Sequence, residues 1–328
     1  MTELFIATGQ SFAHLTESSD GWHLKTQLVG EGVRSITADP ADASILYAGT
    51  PENGLWKSAD RGRTWENLDL PESNVYSVAV SPADGSVFAG TEPSMLFKSI
   101  DGGQTWDELS ALREIPSAPT WSFPPRPWTS HVRWIAPNPQ DPDLLLAGIE
   151  LGGVMSTRDG GKTWHDHPAG AVKDAHELAW HPTDASRAYE AGGGGAAWSA
   201  DWAGTWSPAD AGRSHHYVWA LAVDPADPDL WFVSAAGGPS DAHSGRYSGQ
   251  HRANALIYRW RGQGPWEPLT GLAASRFAMP YALHIAGGRL FAGLADGQIF
   301  VSENSGDTWN KISPAGEQIR SISSLVAV

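Results

Sequence analysis

Apolar and polar residues alternate in short runs along this chain, and most of the runs close on a proline. They read VRSITADP from Val33, VYSVAVSP from Val75, VRWIAPNP from Val132, AHELAWHP from Ala175 and VWALAVDP from Val218. A period of two places successive side chains on opposite faces of a strand. A denser apolar run follows, as in ILYAGT, SVFAGT and LLLAGI, and predicts a second, more buried strand. PYALHIAG from Pro280 and IRSISSLVAV from Ile319 bring the alternating runs to seven. No stretch carries a helical apolar period of useful length, so the pattern predicts an all-β protein.

A polar phrase recurs behind these strand pairs. It reads SADRGRTW (Ser58 to Trp65), SIDGGQTW (Ser99 to Trp106), TRDGGKTW (Thr157 to Trp164), SADWAGTW (Ser199 to Trp206) and SENSGDTW (Ser302 to Trp309), with worn copies ending in Trp22 and Trp266. The seven tryptophans lie 43, 41, 58, 42, 60 and 43 residues apart. A period near 42 suits a four-stranded propeller blade, and two of the intervals carry insertions. Within the octet, Asp accepts backbone N–H bonds in a turn, Gly supplies a left-handed position, and Trp plugs the space between blades. These aspartates are expected to staple hairpins, not to catalyse. The chain opens on a run of the second type, LFIATG, so its last alternating run must supply the missing inner strand. The prediction is one domain, residues 1–328: a seven-bladed β-propeller of four-stranded blades, closed by the carboxyl-terminal strand joining the amino-terminal blade.

The pattern S-x-D-x-G-x-T-W resembles the Asp-box of the BNR/Asp-box propellers, a group that includes sialidases, and the resemblance runs the full length. It implies the propeller fold with Asp-box hairpins. Sialidases have six blades, an arginine triad and an R-I-P motif, which appears here as REIP, Arg113 to Pro116; true sialidase activity is therefore not expected. Asp-box xyloglucanases use two seven-bladed propellers, and Asp-box photosystem assembly factors act by binding. The phrases SFPPRPW, HVRWIAP and DAH are similar to those of a broad bacterial family of single-domain BNR-like propellers, for which the resemblance implies a fold and a pocket.

Composition narrows the function. The formal net charge is −15 and the sequence pI about 5.1, which argues against nucleic acid as a partner. Cysteine is absent, so disulfides and thiolate metal sites are excluded. The start MTELFIATGQ has neither a basic segment nor an apolar leader, and nowhere do about 18 apolar residues run together. The expectation is a cytoplasmic protein with no membrane association.

The two insertions, roughly Leu109 to His131 and Gly237 to Ala253, fall in loops of the face opposite the octets. Between them the fourth blade carries a bare Gly192 to Gly195 loop. The first insertion contains WSFPPRPWTSHVRW, whose prolines and tryptophans suit one stiff wall of a pocket, or else a cap over the channel. Counting back from the closing prolines aligns Arg34, Tyr76, Arg133, His176, Trp219, Tyr281 and Arg320 at the seven inner-strand starts. With Arg126, Trp128, His131, His216 and His243 they form the expected ligand-binding set; the alternative is that arginines and glutamates simply pair across blades.

Three chemistries could use that ring. Glu150 and Glu177, on adjacent blades, are the candidate acid and nucleophile or base of a glycoside hydrolase, with His176 beside them. The arginines are candidates for holding an acidic ligand. A histidine metal site is the third, but His215 and His216 are adjacent and would point opposite ways in a strand, so neither metal nor cofactor is expected. The preferred reading is a propeller with a small-molecule or carbohydrate pocket on the insertion-bearing face, glycosidase-like if it is an enzyme. The rival is a non-catalytic scaffold that binds a peptide or partner protein. A closed concavity of several hundred Å3 with convergent polar groups favours the first, an open apolar plate the second.

Overall fold

The structure is a computed structural model that describes residues 2–124, 129–244, 252–315 and 318–328. Seven antiparallel sheets form the blades of a propeller, each in meander order outward from an inner strand. The inner strands are Ser35–Ala38, Val75–Val80, Val132–Pro137, Ala175–Trp180, Tyr217–Val223, Pro280–Ala286 and Ser324–Ala327, and the blades are counted in that order. Each falls on an alternating run read from the sequence. In the third blade an isolated bridge between Ser156 and His165 stands in place of a full fourth strand.

The second strands are the most buried, because blades pack on both of their faces. Leu145–Ile149, for example, is buried at every position. Their shared Ala-Gly pair has a packing reason. A Cβ on Gly49 would come within 2.8 Å of Val75, one on Gly90 within 2.7 Å of Val132, and one on Gly293 within 2.8 Å of Ile322. Each glycine thus lets the next blade's inner strand seat against the sheet. The outermost strands are the most exposed, and in Gly21–Gln27 the even positions are half-buried and the odd positions exposed.

Ring closure follows the sequence. Leu4 pairs with Ala327, Phe5 with Val326, Ile6 with Leu325 and Ala7 with Ser324, and Glu3 and Val328 exchange backbone hydrogen bonds of 3.1 and 3.0 Å. The octets form the hairpins between third and fourth strands. In the first, the Asp60 carboxylate accepts the N–H groups of Arg63 (3.0 Å) and Thr64 (2.8 Å) and the hydroxyls of Ser58 and Thr64, while Gly62 donates to the Ser58 hydroxyl. The indole of Trp65 closes the hairpin on the Gly62 carbonyl and meets Phe12 of the neighbouring blade edge-on. Those bonds hold the Asp60 carboxyl down at about 2. Among the described residues no helix is long and apolar enough to cross a membrane.

Part of the first insertion is structural. It folds as two 3-10 turns, Ser110–Glu114 and Ala118–Thr120, and sinks Leu112 and Ile115 into the core between second and third blades. The second opens with the short helix Pro239–Ala242, whose Ala242 is buried.

Candidate functional site

Each inner strand enters its sheet irregularly. Pairing jumps from Val75–Thr91 to Ser77–Gly90, and equivalent jumps skip Arg133, His176, the Trp219–Ala220 pair and Tyr281. A residue skipped in this way is a β-bulge, which kinks the strand and re-aims a side chain. In the first blade Arg34 holds the same place: its N–H reaches the Gly49 carbonyl that Ser35 pairs with. In the seventh blade that place belongs to Ser323, whose N–H reaches the carbonyl of Ala7, the partner of Ser324. The expected seventh ring member, Arg320, lies three residues earlier. The last run has two apolar-to-polar starts, Ile319-Arg320 and Ile322-Ser323, so the alignment slipped by three residues.

The bulged side chains converge on a cavity of about 710 Å3 at the mouth of the channel. Arg34, Tyr76, Arg133, Trp219, Tyr281 and Ser323 form its ring, and Phe123 and His243 reach it from the two insertions. Glu150, Asp174 and Tyr217 line it as well. The guanidinium of Arg34 lies over the Tyr76 ring at 4.2 Å and that of Arg133 over Trp219 at 4.8 Å, so aromatic faces set the aim of both cations. Burial, and the charge of Arg133 in smaller part, lower the Arg34 pKa. His243 is fixed between the Tyr217 and Tyr281 hydroxyls at 3.1 and 2.7 Å.

Behind this wall is a buried relay. His131, 1% exposed, stands with Nδ1 3.2 Å from Glu92 and Nε2 2.6 Å from Glu150, and stacks on Tyr76 with ring centres 3.8 Å apart. Phe123 covers it edge-on. Burial raises the Glu150 carboxyl, but the His131 hydrogen bond and the Arg133 charge outweigh it and hold the group at about 2. The next residue, Leu151, adopts φ 60°, a left-handed conformation that costs a side-chain-bearing residue ~1–2 kcal/mol.

On the adjoining blade Asp174 and His176 both leave the start of one strand. His176 is 1% exposed, and its Nδ1 lies 2.6 Å from the Val218 carbonyl. A carbonyl only accepts, so Nδ1 carries a proton and donates it. Nε2 makes no hydrogen bond and faces an Asp174 oxygen at 3.5 Å. The glycine loop makes room for this carboxylate: a Cβ on Gly193 would stand 1.9 Å from Asp174 Oδ2. Oxygens of Glu150 and Asp174 and a nitrogen of His176 all lie within 4.8 Å of one another.

Of the residues singled out from the sequence, the structure brings Arg34, Tyr76, Arg133, Glu150, Trp219, His243 and Tyr281 to one cavity, with His131 and His176 buried directly behind. Glu177 sits lower, lining a constriction with Trp134 and Leu283, where burial pushes its carboxyl up to about 8 despite a hydrogen bond from the Leu221 N–H. His216 is exposed and lines none of these cavities. Arg320 lines a neighbouring cavity of about 720 Å3 with Phe277, Met279 and Ile322. Arg126 and Trp128 lie outside the described residues. Asp174, Tyr217 and Ser323 were missed as site residues. The signal for Asp174 was its place two residues before His176, the spacing that puts both on one side of a strand.

No family model and no curated protein matches this chain. Solved structures do. An ancestral GH74 enzyme aligns with TM-score 0.66 at 18% identity over 87% of this chain and 39% of its own, and the GH74 xyloglucanase of Xanthomonas campestris with TM-score 0.69 at 19% identity over 95% and 52%. This chain thus spans about half or less of those enzymes. YCF48 bound to D1 peptide aligns with TM-score 0.55 at 18% identity over 85% of this chain and 81% of that one. The chain shares a seven-bladed propeller fold with glycoside hydrolases and with a peptide-bound propeller alike.

Proposed function

We propose that the channel-mouth cavity binds a small acidic molecule of sugar size, with Arg34 and Arg133 as the anion clamp and the faces of Tyr76, Trp219 and Tyr281 as apolar walls. The observation that carries this reading is the convergence of two ring-backed guanidiniums on one concave space of about 710 Å3. That volume is in the range of small-ligand pockets and its lining mixes rings with a few fixed polar groups, unlike an apolar docking plate. The protein carries a formal charge of −15, so an anion approaching this face depends on those local cations. The fold is compatible with sugar chemistry and with peptide binding, and it does not choose between them.

Calorimetric titration with sugar acids, sugar phosphates and matched neutral sugars tests the reading. Acidic members are expected to bind, and Arg34→Ala and Arg133→Ala to abolish that binding in folded protein. Tight binding of neutral sugars that ignores both substitutions, or a panel without an Arg133-dependent ligand, overturns it.

A second reading, glycoside hydrolysis, is favoured by the opposite settings of two carboxyls, Glu150 held ionised at about 2 and Glu177 held protonated at about 8. Arg133 stands at both levels of the channel. This reading requires release of reducing sugar from a glycoside, lost in both Glu150→Gln and Glu177→Gln.

A further inference from the structure

The polar trio between the third and fourth blades is built for something other than an organic acid. We propose that Glu150, Asp174 and His176 bind a divalent transition-metal ion, facing the channel-mouth cavity. Two carboxylates side by side repel each other, and while His131 and Arg133 offset the charge of Glu150, the Asp174 carboxylate faces the His176 Nε2 at 3.5 Å without a hydrogen bond. Their oxygens and the imidazole nitrogen fall within 4.8 Å of one another. Adjacent ligands of a tetrahedral ion with bonds of about 2.0–2.1 Å stand about 3.4 Å apart. The 3.5 Å between Asp174 Oδ1 and His176 Nε2 is already that edge, and a Glu150 oxygen stands within 4.8 Å of both.

The independent mark is the orientation of His176. Its Nδ1–H is spent on the Val218 carbonyl, which turns Nε2 toward the two carboxylates from a ring that is 1% exposed and has no other hydrogen bond. A metal-bound imidazole is oriented in the same manner, by a backbone carbonyl on its far nitrogen. Glu150 has the matching support, because His131 holds one of its oxygens at 2.6 Å and is itself backed by Glu92. Gly193 leaves the space that the Asp174 carboxylate occupies. One imidazole with two carboxylates selects Mn2+ or Zn2+ over Ca2+ or Mg2+, which prefer all-oxygen shells. Glu150 and Asp174 line the same cavity as Arg133 and Trp219, so an ion held there would face it.

Cation binding is measured here without any organic ligand, so it stands or falls apart from the acid-binding reading. The full chain is stripped with chelator, dialysed, and titrated with Mn2+ and Zn2+ while metal content is counted by mass spectrometry. One equivalent per chain is expected, with affinity lowered at least tenfold in Asp174→Asn and in His176→Gln. Near-ultraviolet circular dichroism reports whether each variant is folded. Electron-spin-echo spectra of the Mn2+ form should carry the nitrogen coupling of one imidazole, absent in His176→Gln and present in His167→Gln, which alters the chain's one H-x-H pair, His165 and His167, elsewhere. Failure to retain either metal overturns the proposal, as does retention by both site variants. A nitrogen coupling that disappears with His167 instead of His176 overturns it too.

Discussion

The two faces of this propeller treat their charged groups in opposite ways. On the octet face, Asp60, Asp101 and Asp159 each satisfy their carboxylates within four residues, through the next turn's N–H groups and hydroxyls. At the channel mouth, Glu150 is held by His131 and faces Asp174 and His176 of the next blade, and His176 Nε2 and Arg133 Nε make no hydrogen bond. Buried polar groups normally find partners, so an orphan needs a reason. The locally closed carboxylates are scaffold. The gathered, incompletely partnered groups are the ones to which the proposed ligand and metal are assigned.

The most severe way to break this contrast is to open the ring on which both faces depend. Removing residues 319–328 deletes the inner strand Ser324–Ala327 and bares Leu4, Phe5 and Ile6, now fully buried. The product is expected to be insoluble or molten, with near-ultraviolet dichroism lost and hydrophobic dye bound. A monomeric truncation with an unchanged cooperative melt would refute the closure.

Arg133→Ala addresses the mouth alone. A lost hydrogen bond to a charged group is worth about 1.5–3 kcal/mol, so acidic ligands should bind at least about tenfold more weakly. The unliganded protein should stay folded with a lowered melting temperature, because the side chain stacks on Trp219 and stands 3.7 Å from the buried Glu150. A large loss of stability with ligand affinity intact would make Arg133 a structural cation.

Glu177 sharpens the contrast through pH. Its carboxyl is raised to about 8 from 4.5, so the folded form keeps a proton that the unfolded chain has given up. The associated stability is full below about pH 4.5 and is lost as pH rises towards 8. Glu177→Gln removes the ionisable group but keeps an acceptor for the Leu221 N–H. Calorimetry should find the variant's melting temperature raised relative to the parent at pH 8 and equal to it near pH 4. A parent that melts at the same temperature across that window would mean Glu177 is ionised in the folded channel.

The smallest effect is expected on the octet face. Asp60→Ala orphans the turn amides of Arg63 and Thr64, in water's reach, and should lower the melting temperature modestly at pH 7. The depressed carboxyl means that this contribution is present above the ordinary value of 3.8 and fades as pH falls through about 2. Ligand and metal binding should be untouched. Loss of binding in this variant, with the melt unchanged, would place the site on the other face.

Read as a sequence, the chain displayed its blades because each is a local object. Inner strand, buried second strand and octet recur every 42 residues or so, and their periodicity, turn residues and tryptophans are set by near neighbours. Closure was legible for the same reason, from a chain that begins on a second-type strand. The ring at the mouth was legible in the six runs that offer a single start, which is why Arg34, Tyr76, Arg133, His176, Trp219 and Tyr281 were found. The last run offers two apolar-to-polar starts, Ile319-Arg320 and Ile322-Ser323, and Ser323 was not found. Partners across blades were hidden. Nothing near Glu150 in the chain announces that His131, nineteen residues earlier, will hold it, or that Asp174 will face it. Those contacts arise because a bulge turns each strand's first side chain inward and a closed ring brings adjacent blades within one ion's reach. Local period determined the scaffold; the curvature of the ring, a property of all seven blades at once, decided which charges meet.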